Sequence, residues 1–221
     1  MIPSHTNLVG RDPVKERRVT RELYLAGTGS FAVEVAEWAE DAGWTVVGLI
    51  ELLDSSRIGT LVAGRRVVAG DCPAAGASAV IAIGGERRGH SARLQRLGWD
   101  SPAILHPRAH ASSSAAIGAG VILAPGAIVG AEAVVGEHAL ISRGVLIGHH
   151  AQIGSFTSLL PGANIGGNVE LGDGATVGMG SVIVNGVRIG TDATIAAGAV
   201  VLTDVRAGSR VQGVPAREHK P

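Results

Sequence analysis

The chain has 221 residues, enough for one large domain or two small ones around a sizeable buried core. Its 19 basic and 19 acidic residues cancel, which excludes a general nucleic-acid binder, because such a protein needs a basic surplus or stripe. A hydrophobic content of 46% with only 3% aromatics and 33 glycines points to a narrow, regular interior, and 9 prolines without a glycine at every third position exclude collagen.

In chain order, residues 1–20 read as a flexible leader with no apolar signal core, and no apolar run reaches membrane-spanning length. A cytoplasmic protein with no membrane contact is expected. Cys72 is the single cysteine, which excludes an internal disulfide and a CxxC metal or redox pair.

Residues 21–105 read as a small Rossmann-like α/β domain. Glu22–Ala26 predicts a strand, Gly27-Thr28-Gly29-Ser30 a glycine-rich turn, and Phe31–Ala42 an amphipathic helix that Gly43 ends. Thr45–Ile50 predicts a second strand closing on Glu51, and Arg66–Val68 and Val80–Ile83 two more. After Gly84-Gly85 comes a helix over Glu86–Leu97. Alternating strands and helices imply a parallel sheet. The turn at Gly27–Ser30 has two readings: a tight strand-to-helix connection, or a cradle in which backbone N–H groups hold a diphosphate. Its fingerprint is incomplete, since Ala32 stands at the third glycine position.

From Ile117 the texture changes. Stepping by six gives Leu123, Val129, Val135, Ile141, Ile147, Ile153, Leu159, Ile165, Leu171, Val177, Ile183, Ile189, Ile195 and Val201, all aliphatic. A small or β-branched residue follows four places after each, from Val121 to Val205. A period of six fits neither a lone helix nor a lone strand. Three such steps make one coil of a three-sided prism, with the aliphatic and small residues inward and the coils stacked by parallel ladders. The coil is expected over 106–208, with five full turns from Ile117 to Arg206, a loose backward extension through Leu105 and Ala111, and a tail over 209–221.

This hexad resembles that of the hexapeptide-repeat acyltransferases, and the resemblance implies a left-handed parallel β-helix. Taken with the glycine-rich turn, Glu51–Asp54, Ala82-Ile83-Gly84 with Arg87, His106-Pro107 and the closing Gly213-Val214-Pro215-Ala216-Arg217, the chain from Glu22 to Arg217 is similar to nucleotide-4-amino-sugar N-acetyltransferases and the related sialic-acid O-acetyltransferases. The resemblance implies a homotrimer. It also implies that the N-terminal domain binds a nucleotide-linked amino sugar through Gly27, Thr28, Gly29, Ser30, Glu51, Gly84 and Arg87, and that acetyl-CoA binds between neighbouring coils.

Acyl transfer from a thioester needs a held acceptor, a base for its proton and donors for the oxyanion. Histidine suits the base role. His149, after Gly148 at a corner, aligns with the family's general-base histidine; the bland reading is an exposed corner histidine without a role. Where the family commonly has an acid next, this chain has His150, and where it has a second histidine near the acetyl group, this chain has Ser158. Glu132, one coil below His150, is expected to orient or charge the His149–His150 pair. The family pattern places a thioester-polarising amide on Gly167; alternatively Gly166-Gly167 is a corner needing positive φ. Arg188, Arg210 and Arg217 are expected either as partners of the coenzyme A phosphates or as solvated surface groups.

Two other activities use the same residues. A zinc carbonic anhydrase needs three convergent histidines, and His138, His149 and His150 lack its five-residue pair, so no metal is expected. Sugar O-acetylation and a decayed binding scaffold remain open at this point.

Overall fold

A computed structural model describes residues 21–71 and 76–218. The leader expected over 1–20, Cys72 and the last three residues of the tail lie outside the described residues.

The N-terminal unit is a five-stranded sheet. Strands β1 (Arg21–Ala26), β2 (Trp44–Ile50), β3 (Leu61–Val62), β4 (Arg65–Val68) and β5 (Ala79–Ile81) lie in the order β3-β4-β2-β1-β5, and all pairings are parallel except β3 with β4. Helix α1 (Ser30–Asp41) buries Ala32, Val35, Ala36 and Ala39, the spacing of one helical face. It ends where Gly43 takes a φ of +84°. Leu23, Leu25 and Leu49 beneath it are fully buried, a contribution of about 2 kcal/mol each. A second helix, α2 (Arg88–Arg96), follows β5; it starts two residues later than the sequence suggests, because the Glu86 carboxylate accepts from the Gly89 N–H and Arg87 occupies the cap position.

Because β1 lies between β2 and β5, the loops that follow these three strands emerge at one edge of the sheet. Strand order reverses at β1, with β2 added on one side and β5 on the other, the arrangement that opens a crevice at the carboxyl ends of parallel strands.

The C-terminal unit is a parallel β-solenoid. Short strands from Ile104–Leu105 onward form three ladders of eight, six and five strands, parallel throughout except where Arg217–Glu218 pairs antiparallel with Arg210–Gln212. Through the middle coils the second residue of each strand points inward: Ile147, Ile153 and Ile165 are buried, whereas Leu146, Gln152 and Asn164 are exposed. Small inner residues such as Ala127, Ala133, Ala151 and Ala163 are fully buried and leave no space for an aromatic ring.

Two features depart from the hexad reading. The coil is regular from Ile104, so Leu105 and Ala111 belong to full rungs rather than a loose extension. At the other end Val205 pairs with Ile189, and Arg210 with Thr194. The last turn is therefore shorter than its predecessors, and Val205 takes a strand position instead of the small inner position the six-step count gives it.

The two units share one core. Val35, Ala36 and Trp38 of α1 pack in the same apolar cluster as Ile104, Ile122 and Leu140 of the first coils. At the junction, His106 is buried with Nε2 3.0 Å from Asp41 Oδ2, and its Nδ1 accepts from the Arg108 N–H.

Candidate active site

One corner of the prism, between the strands Leu146–Ile147 and Gln152–Ile153, carries His149 and His150. Its column of left-handed residues runs Glu132 (φ 57°), His150 (φ 58°), Asn168 (φ 56°) and Gly186 (φ 74°), each one coil above the last. Ladder bonds fix the column: the His150 N–H donates to Ala131 O, and the Asn168 N–H to His149 O. Such backbone costs a non-glycine residue about 1 kcal/mol, yet it aims successive side chains outward at one place.

There, His150 Nε2 is 3.0 Å from Glu132 Oε2, and His150 Nδ1 is 3.1 Å from His149 Nδ1. The two rings meet edge-on at 87°. The partners assign the tautomers. A carboxylate only accepts, so His150 donates from Nε2 to Glu132 and accepts at Nδ1 from the His149 Nδ1–H. His149 Nε2 is left with a free lone pair.

That nitrogen faces Gly167. A Cβ built on Gly167 would lie 2.7 Å from His149 Nε2 and 2.8 Å from Cε1. Neither Gly166 nor Gly167 has a positive φ, so the corner-conformation reading of this pair is corrected: left-handed backbone falls on Asn168, Gly166 is required by close stacking on the Asn185 backbone, and Gly167 leaves room for the His149 ring. The Gly167 N–H donates to Asn185 Oδ1 at 3.0 Å. Asn185, which the sequence reading passed over, therefore covers the amide expected to polarise a thioester.

The residues expected on the nucleotide side gather at the sheet edge. A Cβ on Gly27 (φ +141°) would meet Ala82 O at 2.6 Å, which ties the turn after β1 against the turn after β5. Thr28 donates from Oγ1 to Glu51 Oε2 at 2.6 Å, and Glu51 Oε1 accepts from the backbone N–H groups of Leu52, Leu53 and Asp54. Burial pushes the Glu51 carboxyl up, but these hydrogen bonds outweigh it and hold its pKa down at about 2. Both its oxygens are engaged in shaping the loop. Arg57, another residue the sequence reading missed, donates from Nη1 to Thr28 Oγ1 and from Nη2 to Thr28 O. It brings a cation onto the glycine-rich turn. Gly29 and Ser30 open α1; around Gly29 a Cβ would touch nothing within 4 Å.

Gly84 and Arg87 lie on the loop that reaches the coil. Arg87 Nη2 donates to Phe156 O, Thr157 O and Ser158 Oγ at 2.6, 2.9 and 3.0 Å. Two residues expected on different ligands are thus brought together. Burial lowers the Arg87 pKa to about 10, with Glu86 opposing and Arg88 reinforcing the shift.

Arg188, Arg210 and Arg217 do not converge. Arg188 Nε pairs with Glu170 Oε2 at 3.2 Å, beside an open groove of about 570 Å³ lined by Gln152, Glu170, Asp204 and Arg206. Arg210 and Arg217 lie on the last strands, on another ladder. Nor does one chain bring His149 to the glycine-rich turn: the Arg87 loop docks at the corner holding Phe156, a different edge of the prism from the one holding His149. Among the described residues no group of three His, Cys, Asp or Glu side chains could hold a metal, and no helix is long and apolar enough to cross a membrane.

The sequence matches the family described as bacterial transferase hexapeptide (six repeats) over residues 150–185 and 168–203. No curated protein matches it. Among solved structures, the acetyltransferase domain of PglB from Neisseria gonorrhoeae FA1090, in complex with acetyl coenzyme A, is 25% identical with a TM-score of 0.81, covering 90% of this chain and 100% of that one. WeeI from Acinetobacter baumannii AYE gives the same identity, TM-score and coverage. A histidine-to-alanine variant of GDP-perosamine N-acetyltransferase from Caulobacter crescentus, with CoA and GDP-perosamine, is 25% identical with a TM-score of 0.76, covering 92% of this chain and 98% of that one. The unbroken hexads carry the bacterial transferase hexapeptide repeat over residues 150–203, and with the α/β unit docked on their first coils the chain is similar over nearly its whole length to these sugar acetyltransferase structures.

Proposed function

We propose that this acyltransferase moves an acetyl group from acetyl-CoA to the amino group of a nucleotide-linked amino sugar, in a direct ternary complex with His149 as general base. The observation that carries this reading is the chain Glu132–His150–His149, which leaves a lone pair on His149 Nε2 beside Gly167. The neighbouring structures with acetyl coenzyme A, or with CoA and GDP-perosamine, support the donor and acceptor classes.

In the proposed step, His149 Nε2 takes a proton from the acceptor amine as its nitrogen attacks the thioester carbonyl. The new C–N bond forms, the C–S bond breaks, and the thiolate leaves with the proton returned by His149. Glu132, acting through His150, stabilises the imidazolium that forms in between, so His150 and Glu132 are positioning residues. The Gly167 N–H is the oxyanion donor once Asn185 Oδ1 turns away, a displacement a thioester carbonyl can drive because it replaces one acceptor with another.

The N-terminal unit is read as a Rossmann-like nucleotide-sugar domain over 21–105, with Gly27–Ser30, Arg57, Gly84 and Arg87 facing the acceptor. Residues 106–208 are read as a left-handed β-helix that holds acetyl-CoA near Ser158 and Arg188, and 209–221 as a tail carrying Arg210 and Arg217. Since His149 and the acceptor loops occupy different prism edges, the reaction needs a homotrimer in which one copy's loops face the next copy's His149. A cytoplasmic location fits the donor.

The covered Gly167 N–H favours one rival, a scaffold that binds both ligands without transfer. A thiol-release assay with acetyl-CoA against UDP-, dTDP- and GDP-linked amino sugars, together with free sialic acid, separates the two. Release that depends on an amino-sugar nucleotide supports transfer; binding without release supports the scaffold; release with sialic acid alone moves the activity to O-acetylation.

A further inference from the structure

Gly167 stands between His149, one coil below, and Asn185, one coil above, and meets both. Its Cα faces the His149 ring, since a Cβ there would lie 2.7 Å from Nε2. Its N–H donates to Asn185 Oδ1 at 3.0 Å. The backbone ladder does not use that N–H: the rung bonds on either side run from Gly166 N to Ile183 O and from Asn168 N to His149 O. Asn185 Oδ1 therefore marks where an oxygen bound by the Gly167 amide lies, over the same residue that the imidazole touches.

Glycines let the carboxamide reach this place and leave it. A Cβ on Gly166 would lie 2.5 Å from Asn185 Oδ1, so a side chain there would exclude the one above. Gly186, beside Asn185, has a φ of +74°, and a Cβ on it would meet nothing within 4 Å. The Gly186 N–H holds Gly167 O at 2.9 Å and pins the backbone. Asn185 is exposed, so the motion left to it is rotation about its side-chain bonds, which is fast at exposed residues.

Asparagine is not the only residue that caps such a corner. At the next edge of the prism Asp173 Oδ1 accepts from the Ser155 N–H at 2.8 Å, again one coil apart. A carboxylate makes the stronger, charge-assisted cap but has nothing to donate. The carboxamide does. With Oδ1 on Gly167, Asn185 Nδ2 carries two N–H bonds that reach no acceptor among the described residues. An oxygen that takes the place of Oδ1 on Gly167 comes within reach of that group as the amide swings back.

We infer that Asn185 is a catalytic residue of the proposed transfer, whose Nδ2 donates to the acyl oxygen beside the Gly167 N–H. The inference rests on the proposed function and adds a second donor to its oxyanion site. As the amine nitrogen bonds to the acyl carbon, the carbonyl π pair moves onto oxygen, where the two N–H groups hold it. When the pair returns, the C–S bond breaks and the thiolate takes its proton from His149. A neutral amide oxygen competes well with a thioester carbonyl for Gly167 and poorly with an oxyanion, so the pair of donors acts chiefly in the transition state. Without acetyl-CoA, the same side chain turns its oxygen to Gly167 and closes the site.

The test is steady-state thiol release from acetyl-CoA by the full chain as wild type, Asn185→Ala and Asn185→Asp. The acceptor is the amino-sugar nucleotide that supports wild-type release, and thermal melts are run alongside. Asn185→Ala should lower kcat about 100-fold, the loss that follows removal of one oxyanion donor, with KM for acetyl-CoA near the wild-type value. Asn185→Asp keeps the shape and the cap on Gly167 but has only acceptors, and should fall at least as far. Both should melt near the wild type, which separates a chemical role from a structural one. A wild-type or faster rate in either variant shows a side chain that only covers the amide; it overturns the second donor and leaves the proposed function standing. A wild type that releases no thiol with any amino-sugar nucleotide overturns the proposed function, and this role with it.

Discussion

His150 and Glu132 sit on adjacent coils with Nε2 and Oε2 3.0 Å apart, and the same imidazole turns its Nδ1 to His149. The carboxylate thus fixes a tautomer two rings away. Glu132→Gln and His150→Ala should each lower turnover about tenfold, and the double variant should be no worse than the poorer single, because residues in one network are not additive. Losses that multiply in the double variant would dissociate Glu132 from the histidine pair.

His149 itself is exposed at its corner. His149→Ala should cost about 100-fold or more in turnover, as loss of a general base does, while the melting temperature stays near the wild-type value. A wild-type rate in that variant removes His149 from the chemistry.

Gly167 and Gly148 lie in the same stack but answer to different neighbours. A Cβ on Gly167 meets the His149 ring, which can swing outward, whereas a Cβ on Gly148 meets the Gly167 backbone nitrogen at 2.5 Å, which cannot. Gly167→Ala should depress turnover with little effect on melting. Gly148→Ala should destabilise the coil by about 1–3 kcal/mol. Thermal melts and thiol release on both variants check the contrast.

The Glu51 carboxyl titrates at about 2 in the folded chain against an ordinary value of 4.5. A depressed carboxyl stabilises the fold above the unfolded value and loses that contribution as pH falls toward the folded one. Glu51→Gln should therefore cost on the order of 3 kcal/mol at neutral pH, with the deficit shrinking between pH 4.5 and pH 2. Melting curves of both proteins across that window read it directly; a deficit independent of pH would contradict the assigned hydrogen bonds.

His138 works in the opposite sense. Burial lowers its pKa, so the unfolded chain takes a proton, near pH 6.5, that the folded chain refuses until lower pH. Stability should drop as pH falls below about 6.5, and His138→Phe should flatten that part of the melting-temperature profile.

The prism was legible because its signal is local and repeated: each rung needs one aliphatic and one small inner residue, and both show in the sequence from Ile117 to Val201. The Glu132–His150 column was legible too, since stacking follows from the coil length. Contacts set by docking were not. Nothing in the hexads announces that Arg87 will cross to Ser158, because that meeting depends on how α1 seats against Ile104, Ile122 and Leu140. Asn185 over Gly167 and Arg57 over Thr28 depend on side-chain rotamers at corners and loops, where no period constrains the choice. The shortened last turn was hidden because Val205 satisfies both the small-position pattern and the strand it joins.

The most direct test asks whether acceptor loops and base come from different copies. His149→Ala removes the proposed base, and Gly29→Val fills the glycine-rich turn at a position where an added Cβ meets nothing within 4 Å. Each variant should be nearly inactive alone. Co-expressed so that mixed oligomers form, they should regain thiol release from acetyl-CoA well above either parent, because some interfaces then pair an intact turn with an intact His149. Mixed oligomers no more active than the separate variants, beside an active wild type, would contradict a site shared between chains.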